Sequence, residues 1–466
     1  MLLNPTFLKL NKLPLLIAIS SMLFYWVFAY NLVRTDYIKL ITLYVGLFVL
    51  FYNIIKHLKH NTKALTYLAF VFRAIFILAI PNLSQDFYRF IWDGRLILEG
   101  INPYLHTVES FISQDIYPVN QALKLRAGMG HLNASHFTNY PPLNQLCFTM
   151  AAVFASKSIL GSVIVMRLLI ILADFGTLYF GKKLLKQLKL PTYNIFWYIL
   201  NPFIIIELTG NLHFEGVLIF FLIWSLYLLY NGKWLLAAIA LALSISVKLI
   251  PLIFLPLFFQ WFIKPNNNTN NKISTVQKLI RLLTFYSIVI LTTLLLFAPF
   301  YTSEFITNYS KTVALWFQNF EFNGSLYYLA REIGYLFRGY NEIAIIGKAI
   351  PILVISFVLG ITFFRKNKDI IQLFTAMLLV LSFYYFTATT VHPWYVATLL
   401  ILSVFTKYKF PLVWSFMIIL SYLAYINLNK ADKSENLLII ALEYTVVYGV
   451  FIWEVFIKKA PKYLEA

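Results

Sequence analysis

One stretch of the sequence, SQDFYRFIWDGRLILEGINPY at residues 84–104, carries charged residues at a spacing that could do chemistry. Asp86, Arg89 and Asp93 stand at i, i+3 and i+7, which places them on one side of a helix that Gly100 is expected to end. The stretch directly follows an apolar segment, so the helix is predicted to lie at a membrane surface. Carboxylates held there are costly and usually have a task. The alternative is a solvated connecting helix in which Arg89 pairs with Asp93.

The composition defines the class of protein. Of the 466 residues, 60% are hydrophobic and only 12% are charged, whereas a soluble protein would carry about twice that charge. Apolar runs recur along the whole chain and predict an all-α, polytopic helical membrane protein with about 13–14 transmembrane helices. These runs do not alternate residue by residue, as the strands of a β-barrel would. The net charge of +19 resides mainly in short loops between spans, which is the positive-inside pattern and argues against nucleic-acid binding.

The basic loops orient the predicted spans. Lysine-rich loops are predicted to be cytoplasmic, together with both termini, at residues 56–63, 182–189, 264–281, 365–368 and 458–462. Residues 83–141 and 300–345 then become extracytoplasmic loops. The apolar stretch 142–156 is short and opens with two prolines, so we expect it to be re-entrant or juxtamembrane. Residues 1–466 form one membrane domain, in which the asparagine run at 265–271 is a low-complexity linker.

A few polar residues fall inside the predicted spans. Arg167 and Asp174 are seven residues apart on one helix face, and we interpret them as a structural pair. Arg73 has no assigned partner. The single cysteine, Cys147, cannot form an intramolecular disulfide, and the Cys and His residues show no metal-binding spacing.

The predicted topology brings five polar clusters to the outer face, namely residues 84–104, 139–142, 210–215, Lys248 and residues 392–395. Such a concentration on one side indicates a cavity at the outer leaflet. Carboxylates, basic residues and aromatic rings together suit the transfer of a sugar from a lipid phosphate. A base takes a proton from the acceptor hydroxyl, and a cation binds the departing phosphate. Aromatic rings cover the sugar or line the path of the lipid tail.

A family resemblance covers residues 64–406. It rests on SQDFYRFIWDGRLILEGINPY (84–104), YPPLNQ (140–145), LADFGT (172–177), NPFIIIEL (201–208), GNLHFEG (210–216), SVKLIPLIFLPL (246–257), FNGSL (322–326) and VHPWY (391–395). In this order and on this topology, the sequence resembles the GT-C class of integral-membrane glycosyltransferases, which use polyprenyl-phosphate sugars. Within that class it is most similar to bacterial mannosyltransferases. The motifs are much less specific to the sugar than to the class.

The resemblance implies roles for individual residues. Asp86 matches the acid that the family uses as catalytic base, and Asp93 matches the second acid of the first outer helix. Glu215 stands where many relatives have Asp, so a direct catalytic role for it is in doubt. Lys248 matches a basic residue that could meet the lipid phosphate. The predicted site comprises Asp86 and Asp93 as catalytic residues and Arg89, Arg95, Tyr140, His213, Glu215, Lys248, His392 and Trp394 as substrate-binding residues.

Each assignment has a structural alternative. Asp86 could cap its helix, Lys248 could snorkel from a short span, and Tyr140 and Trp394 could simply pack at the interface. An arginine that meets the phosphate could equally bind lipid headgroups.

The resemblance implies an inverting enzyme that moves a sugar, with mannose favoured, from polyprenyl phosphate to a glycan or glycolipid acceptor. It would lie in the bacterial inner membrane with its active site facing the periplasm or exterior. No cofactor is implied, and because some relatives use a divalent metal ion and others do not, metal dependence is left open. Two alternatives are a flippase or transporter of lipid-linked sugars and a polymerase or ligase of surface polysaccharide.

Overall fold

The computed structural model describes residues 5–155, 157–264, 274–318, 320–429 and 435–458, and the asparagine run at 265–271 lies outside these ranges. The described residues are almost entirely helical. The first part of the chain forms helices α1 (Pro5–Asn31), α2 (Tyr37–Leu58), α3 (Thr62–Ile75), α4 (Asp86–Leu98), α5 (Val108–Ile112), α6 (Ala122–Ala134), α7 (Pro142–Ala155), α8 (Ile159–Gln187), α9 (Phe196–Ile199) and α10 (Pro202–Ile204). A π-helical turn at Ile205–Gly210 follows α10 and leads to α11 (Glu215–Tyr230).

The remaining helices are α12 (Trp234–Val247), α13 (Phe258–Ile263), α14 (Thr275–Phe297), α15 (Ser303–Gln318), α16 (Leu326–Arg338), α17 (Ile343–Phe364), α18 (Ile370–Thr387), α19 (Val396–Val404), α20 (Phe410–Met417) and α21 (Leu437–Ile452). Short 3-10 segments join several of them, at Thr192–Ile195, Ile250–Leu257, Ala298–Phe300, Pro393–Tyr395 and Ile418–Asn429, and a π-helical turn at Trp453–Ile457 follows α21. An isolated β-bridge joins Phe322 to Thr390.

The length of these helices confirms a polytopic helical membrane protein. In the described part of the chain, seven helices are long and apolar enough to cross a membrane, and the pair Pro202–Gly210 and Glu215–Tyr230, bent by 114°, would make an eighth. Five shorter apolar helices, Pro142–Ala155, Trp234–Val247, Ile250–Ile263, Pro393–Val404 and Phe410–Tyr425, accompany them. The predicted total of about 13–14 spans therefore holds only if such short helices also cross.

Two short helices bear directly on the predicted topology. The predicted cytoplasmic loop at 56–63 and outer loop at 83–141 require a membrane span at residues 64–82. This predicted span is wrong as a single long helix, because α3 ends at Ile75 after 14 residues and the chain continues without helix to Gln85. A helix of this length reaches only ~21 Å, against the ~30 Å of a bilayer core. Helix α7 also has 14 residues, a length that fits the expectation that 142–156 does not cross fully.

The buried charges pair differently from the prediction. Asp174 accepts a hydrogen bond from Arg73 Nε at 2.8 Å, and both side chains are fully buried. Arg167 instead donates to the backbone carbonyls of Ile77, Thr209 and Gly210 at 2.8–2.9 Å. The predicted Arg167–Asp174 pair is therefore wrong. Arg73 joins α3 to α8, whereas Arg167 holds the carbonyl groups of the π-helical turn before α11.

Helix α4 packs directly on α7 and is thereby fixed in place. A Cβ atom at Gly94 would lie 2.2 Å from the backbone oxygen of Phe148, so only glycine allows this approach. One turn away, the ring of Phe90 stacks on Phe148 with centroids 4.5 Å apart. Gly100 has φ +73° just after the helix, which confirms the predicted C-terminal stop. This packing sets the position of Asp86 at the beginning of α4.

The two predicted outer loops contact one another. Asn102 donates to the carbonyl of Phe300 at 3.0 Å, and Asn308 donates to the carbonyl of Tyr104 at 3.2 Å. Tyr309 donates to the carbonyl of Asn139 at 3.1 Å. The segment holding α4 to α6 and the segment holding α15 and α16 therefore form one layer at the same end of the bundle.

Candidate active site

A cavity of about 1110 Å³ lies beneath this layer. All five polar clusters contribute to its wall, as the predicted topology requires. Seven of the ten predicted site residues line it: Asp86, Arg89, Tyr140, Glu215, Lys248, His392 and Trp394. Apolar side chains complete the lining, including Ile250, Ile253 and Val354. The cavity is therefore large enough and mixed enough in polarity for a ligand with a sugar head and an apolar tail.

Asp86 is the first residue of α4, and its carboxylate points to the cavity rather than to the helix end. The N-cap position is Gln85, and no side chain caps the helix there, so the capping alternative for Asp86 is wrong. Asn133 Nδ2 donates to Asp86 Oδ1 at 3.4 Å. Burial raises the pKa of Asp86 to about 6, with Lys248 lowering it and Glu215 raising it further. A carboxylate with this pKa can accept a proton near neutral pH.

Lys248 stands where α12 ends and the backbone turns extended. Its ammonium group pairs with the carboxylate of Glu215, which is the first residue of α11. The same ammonium group lies 5.8 Å from the ring centroid of Tyr395. Lys248 is thus held inside the cavity by an anion and an aromatic ring, instead of snorkelling towards a membrane surface. This pair places a positive and a negative group in the same cavity as Asp86, close enough to act on its pKa.

Three rings stack at one side of the cavity, and two of them, Trp394 and His392, line it. The ring of Trp394 lies between His213, with centroids 3.6 Å apart, and His392, with centroids 4.6 Å apart. His213 does not line the cavity, contrary to the prediction, because Trp394 covers it and its Nε2 lies 3.8 Å from Glu207. Burial, together with the charge of Lys248, lowers the pKa of His392 to about 3. His392 is therefore neutral near pH 7.

Asp93 does not reach the cavity, although the sequence suggested it as a second catalytic acid. Its carboxylate is fully buried and accepts hydrogen bonds from Arg89 Nε at 2.8 Å and Gln145 Nε2 at 3.1 Å. Arg89 also donates to the carbonyls of Asn133 and His136 at 2.8 and 3.1 Å. The Arg89–Asp93 pair of the alternative is therefore present, but it is buried and does not belong to a solvated helix. This pair fixes the segment 133–140 against α4.

Of two further predicted substrate-binding residues, Arg95 lies outside the cavity and Tyr140 lines it. Arg95 points away from the cavity and donates to the carbonyl of Asn120 at 2.6 Å. Tyr140 lines the cavity and also packs edge-on against Phe90, with centroids 5.0 Å apart. Its backbone carbonyl accepts a hydrogen bond from Tyr104 at 2.6 Å. Tyr140 therefore combines the packing role and the lining role that the sequence left as alternatives.

The cavity also includes residues that sequence reasoning missed: Arg34, Asn133, Glu321, Tyr395 and Glu435. Tyr395 belongs to the VHPWY motif and could have been found there. Arg34 follows the first span, a part of the chain that the resemblance left out. Glu321 directly precedes the FNGSL motif but is not part of it, and Glu435 lies in a region without any motif. Among the described residues, no group of three or more His, Cys, Asp or Glu side chains could hold a metal ion.

The fold and the cavity define a polytopic membrane protein with a polar pocket at one end of a helix bundle. The family model for the alpha-(1->6)-mannopyranosyltransferase N-terminal domain matches residues 16–264, which is more than half of the sequence. The chain therefore belongs to this family. It is 22% identical over 192 residues to alpha-(1->6)-mannopyranosyltransferase A of Mycobacterium tuberculosis, strain ATCC 25618 / H37Rv, a match that covers 41% of this chain. The match spans only 35% of that relative's length.

The family match and the resemblance cover different parts of the chain. The match begins at residue 16, so it includes most of α1 and all of α2, which lie outside the resemblance at 64–406. Asp86, Glu215 and Lys248 fall inside the match. His392 and Trp394 fall outside it, and they reach the same cavity from the other half of the chain.

Proposed function

We propose that the protein is a GT-C-type mannosyltransferase. It moves a mannosyl residue from a polyprenyl-phosphate donor to a hydroxyl of a glycan or glycolipid acceptor. The reaction takes place at the outer face of the bacterial inner membrane. The observation that carries the proposal is a carboxylate of raised pKa, Asp86, in a large cavity that is also lined by a partly buried ion pair and by aromatic rings. Membership of a mannopyranosyltransferase family supports the choice of sugar.

The proposed reaction is a single displacement with inversion. The carboxylate of Asp86 takes the proton of the acceptor hydroxyl, and the acceptor oxygen attacks the anomeric carbon of the donor. The bond between that carbon and the phosphate oxygen breaks, and polyprenyl phosphate leaves with the electron pair. The ammonium group of Lys248 stabilises the charge that develops on this oxygen.

The wall of the cavity suits a lipid-linked donor. Trp394 and His392 stack on one another in the cavity wall, and the ring atoms that they expose to the cavity can contact the apolar side of a pyranose. Ile250, Ile253 and Val354 offer apolar contact for the first isoprene units. The ring of Tyr395 lies next to the ammonium group of Lys248 in the same cavity.

The test uses purified protein in liposomes with radiolabelled polyprenyl-phosphate mannose and an envelope glycolipid extract. We expect label to enter the glycolipid fraction, and parallel samples with Mg²⁺ and with EDTA measure any dependence on a divalent ion. Transfer from GDP-mannose without a lipid intermediate would refute the donor assignment. Movement of labelled donor across the bilayer without transfer would favour the transporter alternative.

A further inference from the structure

Most positive charges around the cavity are already paired with a carboxylate. Lys248 pairs with Glu215, and Arg89 pairs with Asp93. Arg34 also lines the cavity, but within the described residues no carboxylate lies within 4.0 Å of it. Arg34 therefore has a positive charge available for an incoming anion.

The position of Arg34 suits an anion that is attached to a lipid. Arg34 follows the end of α1, and its neighbours Val33 and Tyr37 are 64% and 44% exposed on the outside of the bundle. These exposed apolar side chains indicate contact with lipid at this level. Arg34 thus stands between the lipid-facing surface and the cavity. A phosphate on an isoprenoid tail would meet this residue when its sugar enters the cavity.

The contact that holds the guanidinium of Arg34 does not use its N–H donors. Its central carbon lies over the ring of Tyr425, 4.4 Å from the centroid, which is a cation–π contact. The N–H groups at its edge can then form two parallel hydrogen bonds to phosphate oxygens. From Tyr425 the aromatic wall continues through Phe322, with centroids 6.5 Å apart, to His392 at 5.2 Å from Phe322.

The two arginines that the sequence suggested are poorer candidates. Arg89 is occupied by Asp93 and by two backbone carbonyls. Arg95 points away from the cavity towards the carbonyl of Asn120.

We propose that Arg34 binds the phosphate of the lipid-linked donor and retains it on the leaving group, an inference that rests on the proposed function. Lys248 then remains paired with Glu215 and acts on the bridging oxygen, while Arg34 holds the non-bridging oxygens. The recognised chemistry is a phosphate ester on an isoprenoid chain.

The experiment compares the binding of polyprenyl phosphate and of polyprenol to the full-length protein in phosphatidylcholine nanodiscs. Four proteins are measured: wild type, Arg34→Gln, Arg34→Lys and the control Arg126→Gln, whose arginine pairs with Glu109 outside the cavity. Wild type should prefer the phosphate. Arg34→Gln should lose ~10- to 100-fold in phosphate affinity, the usual effect of removing a charged hydrogen bond. The affinity of Arg34→Gln for polyprenol should equal that of wild type. Unchanged polyprenol binding also shows that this variant is folded. Arg34→Lys should fall between the two, and Arg126→Gln should match wild type.

Results that differ from these expectations separate a failure of the proposed function from a failure of the role proposed for Arg34. If wild type does not distinguish the phosphate from the alcohol, the proposed function fails and the inference fails with it. If Arg34→Gln distinguishes them as well as wild type does, the proposed function stands and the role of Arg34 is refuted. Phosphatidylglycerol and inorganic phosphate serve as competitors. Displacement of polyprenyl phosphate by phosphatidylglycerol at equal concentration would overturn the inference, because Arg34 would then be a general headgroup contact.

Discussion

Replacing Asp86 with asparagine tests the proposed base directly. Asn keeps the shape of the side chain, and its amide oxygen can still accept the hydrogen bond from Asn133. It has no oxygen that can take up a proton near neutral pH. Because Asp86 does not cap α4, the substitution also leaves the helix end unchanged. The loss of activity can therefore be assigned to the missing base.

The expected loss of rate follows from the chemistry of a general base, and the expected change in stability follows from the burial of the carboxylate. Loss of a general base typically costs about 10²- to 10⁴-fold in rate, or roughly 3 to 5 kcal/mol. The pKa of Asp86 is raised from 3.8 to about 6, so the folded state resists its ionisation. This shift corresponds to about 3 kcal/mol of instability, absent below pH 3.8 and complete above about pH 6. Asp86→Asn should therefore be no less stable than wild type at pH 7.

Asp93→Asn is the matched control, because the same change is made about two turns further along the same helix. Asp93 is fully buried against Arg89 and Gln145, and its loss leaves a buried arginine without a counter-ion. Removing one partner of a buried pair typically costs about 3–5 kcal/mol of stability. Asp93→Asn should thus unfold at a lower temperature than wild type, yet lose less turnover per folded molecule than Asp86→Asn.

The assay measures turnover, donor KM and the thermal unfolding temperature on protein that gel filtration shows to be folded. Wild-type kcat/KM should fall as the pH drops below about 6, because protonation removes the base. If Asp86→Asn keeps more than about a tenth of wild-type turnover, Asp86 is not the base. Glu215, the other carboxylate lining the same end of the cavity, would then be the next candidate.

Three further predictions concern the surroundings of the site and the topology. Glu215→Gln removes a group that raises the pKa of Asp86, so the acid limb of the pH–rate profile should move to lower pH; an unchanged limb would contradict the coupling. Asp174→Asn leaves its buried arginine partner unpaired and should lower stability by about 3–5 kcal/mol, measured by thermal unfolding. In a cysteine-free background, cysteine at position 120 should react with an impermeant reagent on intact cells, and cysteine at 186 should not. The reverse pattern would overturn the orientation.

The sequence predicted the features that depend on local spacing. The helix that begins at Asp86 and stops before Gly100 follows from a periodic charge pattern and a glycine with positive φ. The meeting of five polar clusters follows from the alternation of lysine-rich loops, because parity alone assigns them to one end. The Arg89–Asp93 pair was foreseen as an alternative, since residues at i and i+4 face one another on a helix.

Features that depend on packing between distant segments could not be predicted. Arg73 and Asp174 are 101 positions apart, and nothing in the sequence separates this pairing from Arg167 with Asp174. Whether Asp93 faces the cavity or the protein interior depends on how α7 packs against α4, which brings Gln145 to its carboxylate. Arg34 belongs to none of the motifs on which the family resemblance depends. Its place at the cavity follows from contact between the end of α1 and Tyr425, which is almost 400 residues later.

The pairing of charges explains why the site is suited to an anionic donor. With Lys248 bound to Glu215 and Arg89 bound to Asp93, the charges of Asp86 and Arg34 have no ion-pair partner in the described part of the cavity. A donor phosphate that binds Arg34 brings negative charge into the same cavity as Asp86. That charge disfavours the ionised carboxylate and raises its pKa further. Donor binding would therefore make Asp86 a stronger base just when the acceptor hydroxyl must be deprotonated, whereas an acceptor that binds alone would meet a weaker one.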